Sequence, residues 1–325
     1  MNIAIIGAGL MGRKRAQALP KDVNLTTVCD IDDQKGKIFA RQFNCSFEKD
    51  WQKVVKNKDI NAIFVCVTNN NLSKIANLAI KNGKHVLIEK PGGINVKQIL
   101  DTYKAYKKNP VVVMYGYNHR FHQSIQKAKL IVDSQKFGPI LFIRGRYGHG
   151  GRLGYEKEWR FQKKISGGGE LIDQGCHLID LVNFFCGQMT QTSGFVTNLF
   201  WKTNLEDAAF FQLRNKKNQI ADLSVTCVEW KNIFSLEMML KRAKIQIDGL
   251  GGSYGREKLT LYKMKPEMVP PDVEEFLFDE ADISWRDENK IFFEQIRNKI
   301  YSDKSLKDTK YVLSIIEKLY MENSL

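Results

Sequence analysis

The sequence predicts two architectures in succession: a doubly wound α/β domain, then a β-rich α+β domain closed by helices. Three observations predict this. Gly7-Ala8-Gly9-Leu10-Met11-Gly12 follows from the apolar β-rich run at residues 2–7, and a helical stretch, Arg13–Leu19, follows it and stops at Pro20. Strand-like and helix-like segments then alternate as far as Tyr115, which is the pattern of a parallel sheet with crossover helices. Past Ile140, helical periodicity gives way to runs that alternate apolar and polar residues. At 325 residues the chain is too long for one small core, and two domains are expected, over 1–119 and 120–325.

The elements follow in order. Val23–Cys29 reads as a strand ending in Asp30, Asp59–Val67 as a strand, and Leu72–Lys81 as a helix stopped by Asn82-Gly83. His85–Ile88 is a strand, Asn95–Lys107 a helix and Val111–Tyr115 the next strand. In the second half Ile140–Tyr147 alternates, Ala208–Leu213 and Ile220–Val228 flank a polar turn, and Phe234–Ile247 is long and strand-rich. Asp287–Tyr301 and Asp308–Glu322 read as two closing amphipathic helices.

A lone G-x-G-x-x-G is weak, but here a strand precedes it, a helix follows and an acid lies about 20 residues on. Gly7 permits the tight turn, Gly9 lets backbone approach a pyrophosphate, and Gly12 lets helix and strand pack closely. With Leu10 and Met11 these residues open a helix whose N-terminus faces the phosphates. Asp30 can accept hydrogen bonds from both ribose hydroxyls, and its charge repels a 2′-phosphate. The following Ile31-Asp32-Asp33 adds nothing basic, so NAD is expected rather than NADP.

Ligands of such sheets sit at the carboxyl ends of the strands. That singles out Thr68-Asn69-Asn70, Glu89-Lys90-Pro91 and Tyr117-Asn118-His119-Arg120. Thr68, Asn69, Glu89 and Lys90 are assigned to the cofactor. Lys90, between an apolar strand and a proline, is held at the cofactor's edge. There it can act as an acid or base with a lowered pKa, or simply pair with Glu89 or a phosphate.

Composition excludes several classes. The longest apolar runs are strand-sized, far short of the roughly 20 residues that cross a bilayer. Six scattered cysteines without a C-x-x-C pair read as reduced thiols, not as a disulfide framework or metal site. With no basic leader after Met1, a cytoplasmic protein is expected. The net charge of +14 is spread in short lysine groups without aromatic interleaving, which argues against a nucleic-acid partner. It does favour an anionic small ligand.

The stretch 167–185, GGGELIDQGCHLIDLVNFF, has the apolar content of a buried helix, yet it carries Asp173, His177 and Asp180 at spacings of four and three. On a regular α-helix those three share one stripe.

Three motifs together, Gly7-x-Gly9-x-x-Gly12, Glu89-Lys90-Pro91 and Asp173-x-Gly175-x-His177, resemble the glucose–fructose oxidoreductase, inositol dehydrogenase and rhizopine-catabolism family (Gfo/Idh/MocA). The resemblance covers nearly the whole chain. It implies a Rossmann domain followed by a domain built on a large, open, mostly antiparallel sheet flanked by helices. It implies a hydride transfer between a nicotinamide and a secondary hydroxyl or ketone of a sugar-like polyol. Lys90, Asp173 and His177 are then the catalytic group: His177 moves the proton (Lys90 being the alternative), Lys90 steadies developing alkoxide, and Asp173 orients the site. Asp180 is expected to be structural support. Asn118, His119 and Arg120, and Arg152, Trp159 and Arg160 of the glycine-rich loop, are the candidate substrate contacts; a surface arginine and loop glycines explain the last three almost as well.

The charge excess and those arginines lean toward a nucleotide-linked or phosphorylated sugar over free inositol. A homodimer or homotetramer is implied by the resemblance. A glycosidase that uses NAD transiently and a non-catalytic cofactor-sensing regulator stand as the alternatives.

Overall fold

The computed structural model describes residues 1–267, 269–279 and 281–324. It divides into two compact units, one of residues 1–117 and 285–310, the other of 118–284 and 311–325.

The first unit carries a six-stranded, all-parallel sheet: β1 (Asn2–Ile6), β2 (Asn24–Cys29), β3 (Ser46–Glu48), β4 (Ala62–Val65), β5 (His85–Glu89) and β6 (Val113–Gly116). Their spatial order is β3-β2-β1-β4-β5-β6. That is the order of a dinucleotide-binding Rossmann sheet, whose direction reverses between β1 and β4. Because both faces are covered, β1, β4 and β5 are continuous apolar runs and not alternating ones: Ile3, Ile5, Ala62, Ile63, Phe64, Val86 and Leu87 are all 0% exposed.

Helices α1 (Leu10–Gln17), α2 (Asp33–Phe43), α3 (Trp51–Lys56), α4 (Asn69–Lys81) and α5 (Val96–Lys108) make the crossovers. Asp32, Asp50 and Asn95 cap α2, α3 and α5 by accepting backbone N–H groups. The elements between residues 33 and 56 are absent from the sequence expectation.

The first unit is not contiguous in sequence. Helix Ser284–Arg297 belongs to it from Trp285 onward. The physical reason is its inner face. Phe292 and Phe293, both 0% exposed, pack on Phe64 at ring separations of 5.5 and 5.8 Å, each burial contributing about 2 kcal/mol. Glu288 and Asn289 on the same face bind Arg15 of α1.

The second unit is built on an eight-stranded sheet: β7 (Ile140–Gly148), β8 (Gln191–Thr197), β9 (Ala208–Arg214), β10 (Ile220–Thr226), β11 (Ile233–Leu240), β12 (Ala243–Asp248), β13 (Glu257–Lys263) and β14 (Asp272–Phe278). The order is β14-β13-β12-β11-β7-β10-β9-β8; every pairing is antiparallel except β7 with β10. The expected long run Phe234–Ile247 is two strands, β11 and β12, turned at Lys241-Arg242.

One face of this sheet is covered. Leu223, Leu236 and Leu178 close around Gly145, where a Cβ would meet them at 2.9–3.4 Å, so helix Cys176–Cys186 lies against the sheet there. The alternate residues of the central and β8-side strands, among them Arg144, Arg146, Gln212 and Asp222, stand on the opposite, solvated face. Residues 167–186 do not form one continuous α-helix: Leu171–Gly175 is a π-turn, and the α-helix begins at Cys176.

Candidate functional site

In the first unit, each glycine of the loop has a measurable reason. Gly7 has φ +109°, and a Cβ there would lie 2.1 Å from the Cys66 carbonyl oxygen. At Gly12 a Cβ would lie 2.0 Å from the Gly7 carbonyl oxygen. Around Gly9, by contrast, no protein atom lies within 4 Å of the Cβ position. Turn, close packing and open approach are the three roles a pyrophosphate-binding loop needs, in the order the motif predicts. Leu10, 67% exposed, stands at the open tip beside it, with Met11 half-buried behind.

Asp30 ties the loop to the end of β2. Its Oδ2 accepts the Ala8 N–H at 2.7 Å and its Oδ1 the Asp32 N–H at 2.9 Å. Each carboxylate oxygen keeps a second lone pair, so the group is preoriented and still able to accept ribose hydroxyls. Thr68 precedes the first turn of α4, with its hydroxyl donating to Asn70 Oδ1 at 2.9 Å; Asn69 begins that turn and is 5% exposed.

The most consequential group of this unit is one that sequence reading missed. Arg15 is completely buried. Its Nε donates to Glu89 Oε1 at 2.7 Å, its Nη1 lies 2.6 Å from Glu288 Oε2, and the guanidinium sits 4.6 Å from the Trp285 ring centroid. Burial works against its charge, but the two carboxylates more than compensate and hold the guanidinium above its ordinary range. Glu89, assigned to the cofactor, thus anchors α1 through Arg15. Lys90, half-buried, follows immediately and is joined to Pro91 by a cis peptide bond. The available signal was positional: Arg15 lies beside Ala16 on the face of α1 that starts at Gly12.

In the second unit, Asp173, His177 and Asp180 each have a partner from among the substrate candidates. Arg160 Nε donates to Asp173 Oδ2 at 3.2 Å. The His119 and His177 rings stack at a centroid distance of 3.8 Å and 25°. Arg120 binds Asp180 bidentately, Nε to Oδ2 at 2.7 Å and Nη2 to Oδ1 at 2.5 Å. A regular α-helix would send all three to one side; with the π-turn holding Asp173, they serve three directions. Insertions of this kind recur at functional sites.

The loop arginines are also engaged. Arg160 Nη1 donates to Glu158 at 3.0 Å, and Arg152 pairs with the other oxygen of Glu158. Burial opposes the charge of Arg160, but Asp173, Tyr155 and Glu158 outweigh it and raise its pKa. Trp159 stands half-buried with the Arg160 guanidinium 4.9 Å from its ring. Asn118 donates from Nδ2 to Ser284 Oγ at 3.0 Å.

Sequence reading also missed a buried polar set behind Asp173. His149 accepts the Gly151 N–H at Nδ1 (3.0 Å), which leaves the proton on Nε2, 3.5 Å from Glu170 and 3.4 Å from the Tyr155 hydroxyl. Burial, with Glu170 and Asp173 nearby, pushes the Tyr155 phenol far up, so it stays neutral. Among the described residues no group of three His, Cys, Asp or Glu is placed to hold a metal, and no helix is long and apolar enough to cross a membrane.

Comparison with known proteins gives the context of these residues. Residues 1–117 match the model of an oxidoreductase family with an NAD-binding Rossmann fold, Gfo/Idh/MocA, and residues 125–254 match the C-terminal domain of the same group. Levoglucosan dehydrogenase of Pseudarthrobacter phenanthrenivorans is 28% identical over 208 residues, 58% of this chain and 52% of that protein. 2,7-Anhydro-N-acetylneuraminate hydratase of Escherichia coli is 25% identical over 72% of this chain and 63% of its own. The chain therefore spans about half to two thirds of the length of these relatives. A solved levoglucosan dehydrogenase in complex with NADH has the same fold, with a TM-score of 0.89 at 19% identity, covering 99% of this chain and 98% of that one.

Proposed function

The chain belongs to the Gfo/Idh/MocA oxidoreductases, and on that premise we propose that it is an NAD(H)-dependent dehydrogenase acting on a secondary hydroxyl of a sugar-like polyol. The observation that carries this reading is the complete dinucleotide loop of the first unit, open at Gly9 and flanked by Asp30; in the second unit a half-buried acid and a buried imidazole, Asp173 and His177, lie in one short segment.

Gly7, Gly9, Leu10, Met11, Gly12, Asp30, Thr68 and Asn69 would hold the cofactor. NAD supplies the acceptor for the hydride that leaves the carbinol carbon. The hydroxyl proton goes to His177, imidazole being the side chain whose ordinary pKa lies nearest neutrality; in the reverse direction it returns from there. Lys90 donates to the reacting oxygen and steadies its developing negative charge. Asp173, fixed by Arg160, supplies the negative charge that favours the protonated states of its neighbours.

The substrate we favour is a neutral sugar ring. Arg152 and Arg160 are the loop's candidate anion ligands, yet Glu158 and Asp173 match their two charges. This weighs against the phosphorylated or nucleotide-linked sugar to which overall charge points. The name of the first relative, levoglucosan dehydrogenase, fits the same choice. A homodimer or homotetramer through the open sheet face completes the proposal, supported by Phe195 and Phe210, cross-strand neighbours exposed there. Light scattering of the purified protein tests it.

The functional test is NADH formation over a panel of levoglucosan, glucosides, myo-inositol, glucose 6-phosphate and UDP-glucose. Turnover restricted to the last two overturns the neutral choice. Lys90→Met and His177→Asn should each lower kcat by at least a hundredfold while NAD still binds. A hydratase among the relatives favours a second reading, in which NAD is used without net redox change. Product formation from an anhydro sugar with no change in free NADH would select it.

A further inference from the structure

We propose that His119 is a positioning residue for His177: its ring forms the stacking platform that fixes the plane of the His177 imidazole and favours its protonated state. The inference rests on the dehydrogenase reading of His177 and assigns His119 a part other than substrate contact.

The stack is close and nearly parallel, 3.8 Å and 25°, and both residues are buried, His119 at 7% and His177 at 4% exposure. A buried ring held on its face has one rotamer, which is what a proton-transfer group needs. The platform is itself held from several sides. Tyr147 of β7 packs against His119 at 5.2 Å and edge-on to His177 at 6.1 Å, while Phe234 of β11 closes on His119 at 6.0 Å.

The platform is also fixed in its own plane. Asn118 Nδ2 donates to Ser284 Oγ at 3.0 Å, which turns its Oδ1 toward His119 Nδ1 at 3.3 Å. Two imidazolium rings face to face would repel, whereas a neutral aromatic face attracts a cation. The charged and titratable groups around the pair are disposed the same way. Asp173 and Glu170 lie on the segment leading into His177, Tyr147 and Tyr254 are phenols, and His122, edge-on to His119, is tied to Glu257 at 3.1 Å. Burial pushes the Tyr147 phenol well up, so it adds no charge.

Two variants separate stacking from bulk: His119→Phe keeps an aromatic face, and His119→Leu does not. NMR titration of the His177 ring needs no turnover, so it tests the stack whether or not the dehydrogenase reading holds. In His119→Leu the His177 titration should move at least half a pH unit lower, and kcat should fall tenfold or more at unchanged KM. In His119→Phe both should stay within threefold or 0.3 pH unit of the parent. Equal behaviour of the two variants in the titration overturns the proposal, as does a loss confined to KM, which would make His119 a substrate contact. An inactive parent with the titration shift intact would leave the stack standing and remove the dehydrogenase reading instead.

Discussion

Replacing Arg15 by Met should be the most damaging single change outside the proposed chemistry. The substitution removes a cation facing two buried carboxylates, Glu89 at 2.7 Å and Glu288 at 2.6 Å. Breaking a buried pair by deleting one partner costs about 3–5 kcal/mol. Two stranded carboxylates would cost more if both stayed charged, but a proton relieves each. From an ordinary glutamate value near 4.3, taking up that proton costs about 3.7 kcal/mol at pH 7 and about 1 kcal/mol at pH 5. The loss is thus capped near 7 kcal/mol at neutral pH, and the cap falls steeply on acidification.

The sign follows from linkage: the folded variant binds more protons than its unfolded chain between pH 5 and 7, so its stability rises as pH falls. Urea denaturation of parent and variant at pH 7, 6 and 5 measures it. The difference should be at least 3 kcal/mol at pH 7 and shrink by about 2 kcal/mol or more by pH 5. A difference below about 1 kcal/mol, or one independent of pH, would refute the claim that Arg15 is the counter-charge of this core.

Gly9→Ala should fold normally, since nothing lies within 4 Å of the added methyl, yet lose NAD binding; Gly12→Ala should lose stability, its methyl lying 2.0 Å from a carbonyl oxygen. Isothermal titration and thermal melting of the pair read the two effects apart. Asp30→Asn should weaken NAD by tenfold or more, about 1.5–3 kcal/mol for charged hydrogen bonds, and narrow the NAD-over-NADP preference seen in steady-state KM values. Glu257 is pulled by burial toward a higher pKa, but His122 and the Ser124 N–H and hydroxyl outweigh this and lower it. Its contribution is therefore present above the unfolded value near 4.3 and lost as pH falls below it. The melting temperatures of parent and Glu257→Gln should differ at pH 6–7 and converge toward pH 3–4; a gap that widens in acid would contradict the assignment.

What the sequence made legible was local. The glycine loop, its strand, its helix and Asp30 span about 25 residues, and each constraint acts between near neighbours, so spacing alone exposes it. Arg15 and Asn289 lie 274 residues apart, and no periodicity announces such a contact. The return of helix Ser284–Arg297 to the first unit was hidden for the same reason: its apolar face predicts burial without saying against what. The π-turn was hidden because helical spacing was read at 3.6 residues per turn across a segment that does not keep it.

The polar residues of the second unit show what spacing leaves open. Spacing puts Asp173, His177 and Asp180 on one stripe, and His119, Arg120 and Arg160 stand elsewhere in the sequence as candidate substrate contacts. In the fold they are three couples, two ion pairs and one stacked pair of rings. A charge or ring inside an apolar segment raises the question of its partner, because unpaired burial is costly. The nearest unassigned residues of matching chemistry were those on the substrate roster. Arg120, held by both oxygens of Asp180 and covered by Phe184 at 5.4 Å, has little left to offer a ligand. The uncompensated positive charge around these residues is correspondingly smaller than the count of cationic side chains implies, and that is the physical ground on which an uncharged substrate is proposed.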